Sequence, residues 1–171
     1  SINFYYANIG VMPMDNFVLY NGGYRVLNGY VPFNDYWLVT GPLLDYLNAF
    51  FFILGGVSWK SYILHSSFFN LIISLSTYFF LIKLNLNRNY SFFYSILFSL
   101  MMYPSVGTPF VDHHSTIFLL LAYYLLMIGI KENNYNIFSF IPFLMSLSFL
   151  SKQTPAVYGL FGLFIIFSFY I

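Results

Sequence analysis

The sequence predicts an all-α protein: a polytopic transmembrane helical bundle whose first external loop contains two short interfacial helices. Three observations predict it. Of 171 residues, 60% are hydrophobic and only 6% are Asp, Glu, Lys or Arg, where a soluble domain carries about 25% charged residues. Mean hydropathy is +0.74, so the chain cannot solvate its own surface and the bilayer is the solvent that suits it. The apolar stretches are continuous, whereas a membrane barrel would show strands of about ten residues in strict alternation. The same composition excludes a cytosolic globular enzyme and a disordered segment. It also excludes a nucleic-acid binder, because a net charge of +1 supplies no basic patch. With no cysteine in the chain, disulfides, thiolate chemistry and Cys-based metal sites are unavailable.

The elements follow in order. Residues 17–28 form a short helix with Tyr20, Tyr24 and Leu27 on one face, Asn21, Arg25 and Asn28 towards the other, and Gly29 as its stop. Residues 43–54 form a second, opened by Gly41-Pro42 and closed by Gly55-Gly56. Proline suits a first helical turn, and twelve residues are too few to span, so this helix belongs at the interface. Residues 59–83 are the clearest span, rising about 37 Å against a hydrocarbon core of about 30 Å. Further spans are expected at 91–103, 115–130, 137–150 and 156–171. The chain is therefore one partial transmembrane domain over 1–171, with 1–58 as the external loop and 59–171 as about five spans. It opens at Ser1 with no signal-peptide pattern and stops at Ile171 inside an apolar run, as expected of a fragment cut at both ends.

Counting crossings sorts the charges. Loops 85–90 and 131–136 share one side with Lys83, Arg88, Lys131 and Glu132, which the positive-inside rule assigns to the cytoplasm. The other side collects Asp15, Asp35, Asp45 and Asp112 with Arg25, Lys60, Lys152 and the pair His113-His114. Four of the five acids thus converge on the outer face.

Several of these residues could carry chemistry. Asp15, in Pro13-Met14-Asp15-Asn16, suits a helix N-cap and equally a surface carboxylate acting as general base on an acceptor hydroxyl. Asp35 is either a turn residue or a second acid that orients an acceptor or holds a divalent cation. Asp45 suits the positive end of a short helix, a structural role. Asp112 reads as an N-cap. His113 and His114 point about 100° apart on a helix, a poor metal pair, but could donate hydrogen bonds to a phosphate at a helix N-terminus. Lys152 lies between two apolar runs, where it either snorkels or binds a lipid-linked phosphate, with Arg25 and Lys60 as competitors for that role. Ser66, Asn70, Ser74 and Thr77 make a polar stripe suited to interhelical hydrogen bonds, and His65 reads as a satisfied buried histidine.

The order of four segments resembles the GT-C membrane glycosyltransferases, specifically the group of protein O-mannosyltransferases and lipid A aminoarabinose transferases. These segments are Pro13-Met14-Asp15, then Tyr24 to Trp37 with Gly29, Pro32 and Asp35, then Gly41-Pro42-Leu43-Leu44-Asp45-Tyr46-Leu47, then Phe51 to Gly55. Leu150-Ser151-Lys152 resembles the Leu-Thr-Lys step of a later span in that group. The likeness covers essentially the whole chain, without the first span and the C-terminal half. It implies transfer of a hexosyl or pentosyl group from a polyprenyl-phosphate donor to a lipid, glycan or protein acceptor. The implied setting is the extracytoplasmic face of a bacterial plasma membrane. Asp15 would match the catalytic base, Asp35 the second loop acid, and Lys152 the lysine near the donor phosphate. His113 and His114 match nothing in the pattern, and Met14-Asp15-Asn16 stands where many members carry Asp-Glu. The competing expectations are a transporter or flippase and a non-catalytic membrane scaffold. A transporter should place ionisable groups at mid-membrane, whereas here they cluster at one face.

Overall fold

The computed structural model describes residues 2–103 and 107–170, and every described element is helical apart from one isolated bridge between Pro32 and Tyr36. Eight α-helices follow in order: α1 (Ile2–Ala7), α2 (Pro13–Leu27), α3 (Leu43–Gly55), α4 (Trp59–Lys83), α5 (Arg88–Met101), α6 (Val111–Glu132), α7 (Ile141–Ser151) and α8 (Gln153–Tyr170), with a 3₁₀ turn at Tyr135–Phe140 before α7. Three of them, α4, α6 and α8, are long and apolar enough to cross a membrane; α3 and the stretch Tyr135–Ser151 are shorter apolar helices. Of the outer loop expected at 104–114, residues 104–106 lie outside the described residues, as does Ile171 at the end of the last expected span.

Local chemistry sets the boundaries. Pro13 takes the first turn of α2, where its missing N–H costs nothing, so the helix starts four residues before the expected 17. The Ser58 hydroxyl caps α4 by accepting from the Ser61 amide at 3.2 Å. Asn133 ends α6 in the left-handed region, at φ 51°. That helix begins at Val111, so Asp112, His113 and His114 lie inside its first turn and not in the loop before it. Neither Asp15 nor Asp112 is an N-cap: Met12 and Phe110 hold those positions.

The long helices pack through an apolar core of Phe51, Phe69, Ile73, Ile117 and Phe118. A second cluster, Leu19, Leu44, Phe52, Tyr62 and Val111, ties α2 and α3 to the bundle. Large apolar side chains face outward along the helices, among them Phe79, Phe92, Phe143, Phe161 and Phe164, a surface that water would penalise and hydrocarbon would not. The polar stripe of α4 is used between elements. Ser66 donates to the Gly107 carbonyl at 2.6 Å, Asn70 to Asn3 at 2.9 Å, and the Thr77 and Tyr124 hydroxyls meet at 2.9 Å.

Two glycine sites fix how the external segment sits. A Cβ at Gly22 would overlap the Asp45 carboxylate and one at Gly23 would overlap Asn48, so α2 can cross α3 only because both lack side chains. A Cβ at Gly41 would overlap the Leu150 carbonyl, and the Gly41 amide donates to the Ser151 carbonyl at 3.3 Å. The segment between α2 and α3 is thereby anchored to the end of α7, immediately before Lys152.

The bundle has two chemically different ends. At one, Lys83 at the end of α4 pairs with Glu132 at the end of α6 at 2.6 Å, and Lys131 donates to the Lys83 carbonyl. At the other lie α2, α3, the start of α6 and the α7–α8 junction.

Candidate functional site

A groove of about 460 Å³ opens where these elements meet, and its lining includes Asp15, Asp45, Asp112 and Lys152. Each of the four comes from a different place. Asp15 sits in the first turn of α2, Asp45 in the first turn of α3 and Asp112 in the first turn of α6. Lys152 is the single extended residue, φ −155° and ψ 129°, between α7 and α8. Three carboxylates thus stand at the positive ends of three helices, where the macrodipole favours negative charge.

The four groups differ in how far their bonding capacity is spent. Lys152 gives two hydrogen bonds to Asp112, 2.7 Å to Oδ1 and 2.8 Å to Oδ2, which leaves one of its three N–H donors uncommitted. Its backbone is fixed as well: the amide donates to the Ser148 carbonyl at 3.0 Å and the carbonyl accepts from the Ser115 hydroxyl at 3.1 Å. Asp45 is 2% exposed and accepts the Tyr36 hydroxyl at 2.7 Å on Oδ2. Burial pushes its carboxyl from 3.8 up to about 6, against the smaller opposing pulls of the Tyr36 hydrogen bond and the Arg25 charge. Burial, and after it the same carboxylate, push the Tyr36 phenol well above its ordinary value. Asp15 is exposed, and among the described residues nothing donates to its carboxylate.

The remaining sequence candidates lie elsewhere. Asp35 closes its own turn, its Oδ2 accepting the Val31 backbone N–H at 2.7 Å and its Oδ1 the Asn34 side-chain Nδ2 at 2.8 Å. Arg25 stacks its guanidinium over the Tyr36 ring, 5.0 Å from the centroid. Both residues line another depression, of about 360 Å³, with Asn21, Tyr24, Tyr30 and Tyr36. The structure therefore does not bring Arg25 to Lys152. His113 and His114 do not line the groove either. His114 is fully buried, its Nε2 at 3.0 Å from His65 Nε2 and its Nδ1 at 3.0 Å from the Phe110 carbonyl, while His113 packs on Tyr103 and Phe110. Asp112 and Lys152 occupy the end of α6 that the histidines were expected to serve.

Two groups in this region were not expected to do what they do. Asp45, read as structural, lines the groove, and Asn48 links α3 to α2 and α4. Asn48 donates to the Leu19 carbonyl at 3.1 Å and its Oδ1 lies 2.6 Å from His65 Nδ1. The signal was available: Asp45 and Asn48 are three residues apart, hence on one face of a helix whose other core-facing residues are apolar.

Chemically, the groove offers an uncommitted carboxylate, a buried one near neutrality, and an ammonium with one spare donor. That set can accept a proton from a hydroxyl and hold an oxyanion. Among the described residues no three His, Asp or Glu side chains are placed to hold a metal ion together. No family model matches the chain, and no curated protein or solved structure matches it.

Proposed function

We propose that the protein is a membrane glycosyltransferase that moves a sugar from a polyprenyl-phosphate donor to an acceptor hydroxyl on the extracytoplasmic side. One observation carries the reading: carboxylates from three helices and the ammonium of Lys152 meet in a single groove at one end of the bundle. The resemblance of the Asp15, Asp35 and Lys152 segments to GT-C enzymes supports the same reaction.

The chemistry asks for little. Asp15 takes the proton of the acceptor hydroxyl as that oxygen attacks the anomeric carbon. The bond from that carbon to the donor phosphate breaks, and the polyprenyl phosphate leaves with the electron pair. The spare N–H of Lys152 stabilises the charge that develops on the departing oxygen. Attack opposite the leaving group inverts the anomeric configuration. Asp112 positions Lys152 through the two hydrogen bonds it accepts from it.

The test uses the protein in proteoliposomes with polyprenyl-phosphate hexoses and pentoses. The reading predicts release of polyprenyl phosphate coupled to an inverted glycoside product, with Lys152→Gln slowing release by about 10²-fold, the scale of one lost oxyanion donor. A product of retained configuration, or normal turnover by Lys152→Gln, would contradict it.

A further inference from the structure

Beyond the groove, the outward face of α2 carries two further depressions that continue it. The groove of Asp15 is lined by Val18, Trp37 and Leu38. These three also line a middle depression of about 160 Å³ with Asn21, Arg25 and Tyr36. Asn21, Arg25 and Tyr36 in turn line the last depression, with Tyr24, Tyr30 and Asp35. Residues 15, 18, 21 and 25 recur at helical spacing, so one face of α2 forms one wall throughout. The segment 30–40 forms the other. Tyr36 fixes the second wall in place, bonded to Asp45 of α3 by its hydroxyl and in contact with Arg25 of α2 through its ring.

The distal end has a distinctive chemistry. Tyr24 and Tyr30 are about half exposed, offering ring faces to a ligand. The Arg25 guanidinium lies over the Tyr36 ring, and among the described residues nothing accepts a hydrogen bond from it, so its planar array of donors is available. Arg25 and Asp35 cancel in charge, which disfavours a strongly anionic ligand. Apolar C–H faces suit the rings, and neighbouring hydroxyls suit the guanidinium and the Asn21 amide. From Asp15 to Arg25 the helix rises about 15 Å, the length of about three linked pyranose rings.

We propose that this trough is the acceptor site, and that the acceptor is a neutral linear oligosaccharide. Resting on the transferase reading above, it places the reacting hydroxyl at Asp15 and the distal rings over Tyr24 and Tyr30. The Arg25 guanidinium grips the hydroxyls of a distal ring. A monosaccharide fills only part of this surface and binds weakly.

The test is calorimetric titration of the protein in lipid nanodiscs with neutral linear gluco-, manno-, galacto- and N-acetylglucosamino-trisaccharides, their monosaccharides and inorganic phosphate. At least one trisaccharide is expected to bind about tenfold more tightly than its monosaccharide. Arg25→Lys, which keeps the charge but loses the planar fork, and Tyr30→Ala should each weaken that binding by about tenfold. Lys83→Gln, at the opposite end of the bundle, should leave it unchanged. Binding of no trisaccharide, equal affinity for the monosaccharide, indifference to both trough variants, or phosphate binding that depends on Arg25 would each overturn the assignment. Sugar release from the lipid-linked donor separates the two claims. Turnover without trisaccharide binding rejects the trough alone, and binding without turnover with any donor rejects the transferase reading.

Discussion

Two regions of the molecule concentrate polar groups, and they use them in opposite ways. The seam between α3, α4 and α6 buries His65, His114 and Asn48 completely, and their side-chain polar atoms lie within hydrogen-bond distance of one another or of a backbone carbonyl. The groove at the end of the bundle leaves the Asp15 carboxylate without a donor, one Lys152 N–H uncommitted and Asp45 near neutrality. A polar group in a dry interior must be satisfied locally or it destabilises the fold. A polar group with capacity to spare has to be reachable from water, and only such a group can serve a substrate. The seam is thus adhesive between helices, and the groove is where chemistry can occur.

The contrast can be tested from its strongest consequence downward. Asn48→Ala removes a second donor to the Leu19 carbonyl, a tie between α3 and α2, and leaves buried His65 Nδ1 without its partner, and a buried group left unpaired costs about 1–3 kcal/mol. Thermal unfolding in detergent should show a large fall in midpoint, and a midpoint unchanged from wild type would mean that the seam is not adhesive. The second test concerns Asp45, whose carboxyl stands at about 6 when folded against an ordinary 3.8. The folded protein therefore holds this proton at pH values where the unfolded chain has released it. Stability should be greatest below about pH 4, decline as pH rises through 6 and level off above, by up to about 3 kcal/mol. Asp45→Asn keeps an acceptor for the Tyr36 hydroxyl and should flatten that decline in unfolding measured across pH 4 to 7. The smallest effect belongs to the far end of the bundle. The Lys83–Glu132 pair is solvent-exposed, 55% and 36% at its side chains, so Lys83→Gln should change stability by less than about 1 kcal/mol.

What the sequence disclosed depended on how local the cause was. The helix at 43–54 was legible because Pro42 and Gly55-Gly56 mark its ends, and the span at 59–83 because its apolar run is unbroken. The start of α6 was not legible. The apolar run marks a start at 115 with Asp112 as its N-cap, but the helix begins at Val111, where Lys152 and His65, 40 and 49 residues away, give the Asp112 and His114 side chains their partners. The six-residue α1 was missed because so short a polar-apolar mixture has no periodicity to see; Asn3 and Asn70 hold it by a contact across 67 residues. In the same way, counting crossings gathered Asp15, Asp45, Asp112 and Lys152 at one end. It could not tell that α2 runs away from the groove, carrying Arg25 about 15 Å along the helix from Asp15, or that the rotations of α4 and α6 turn His65 towards His114. Sorting to an end of the bundle needs only the order of apolar runs. Sorting to a face needs the packing.

The central claim is that the groove performs the reaction and the seam does not. It is tested most directly by the rate of sugar transfer per folded molecule in Asp15→Asn, measured beside the unfolding midpoint of the same variant. Because Asp15 is exposed and accepts no hydrogen bond among the described residues, the substitution should leave the midpoint within about 1–2 °C of wild type, as surface substitutions generally do. Loss of the base should slow transfer by about 10²- to 10⁴-fold. Transfer at the wild-type rate by a stably folded Asp15→Asn protein would contradict the account.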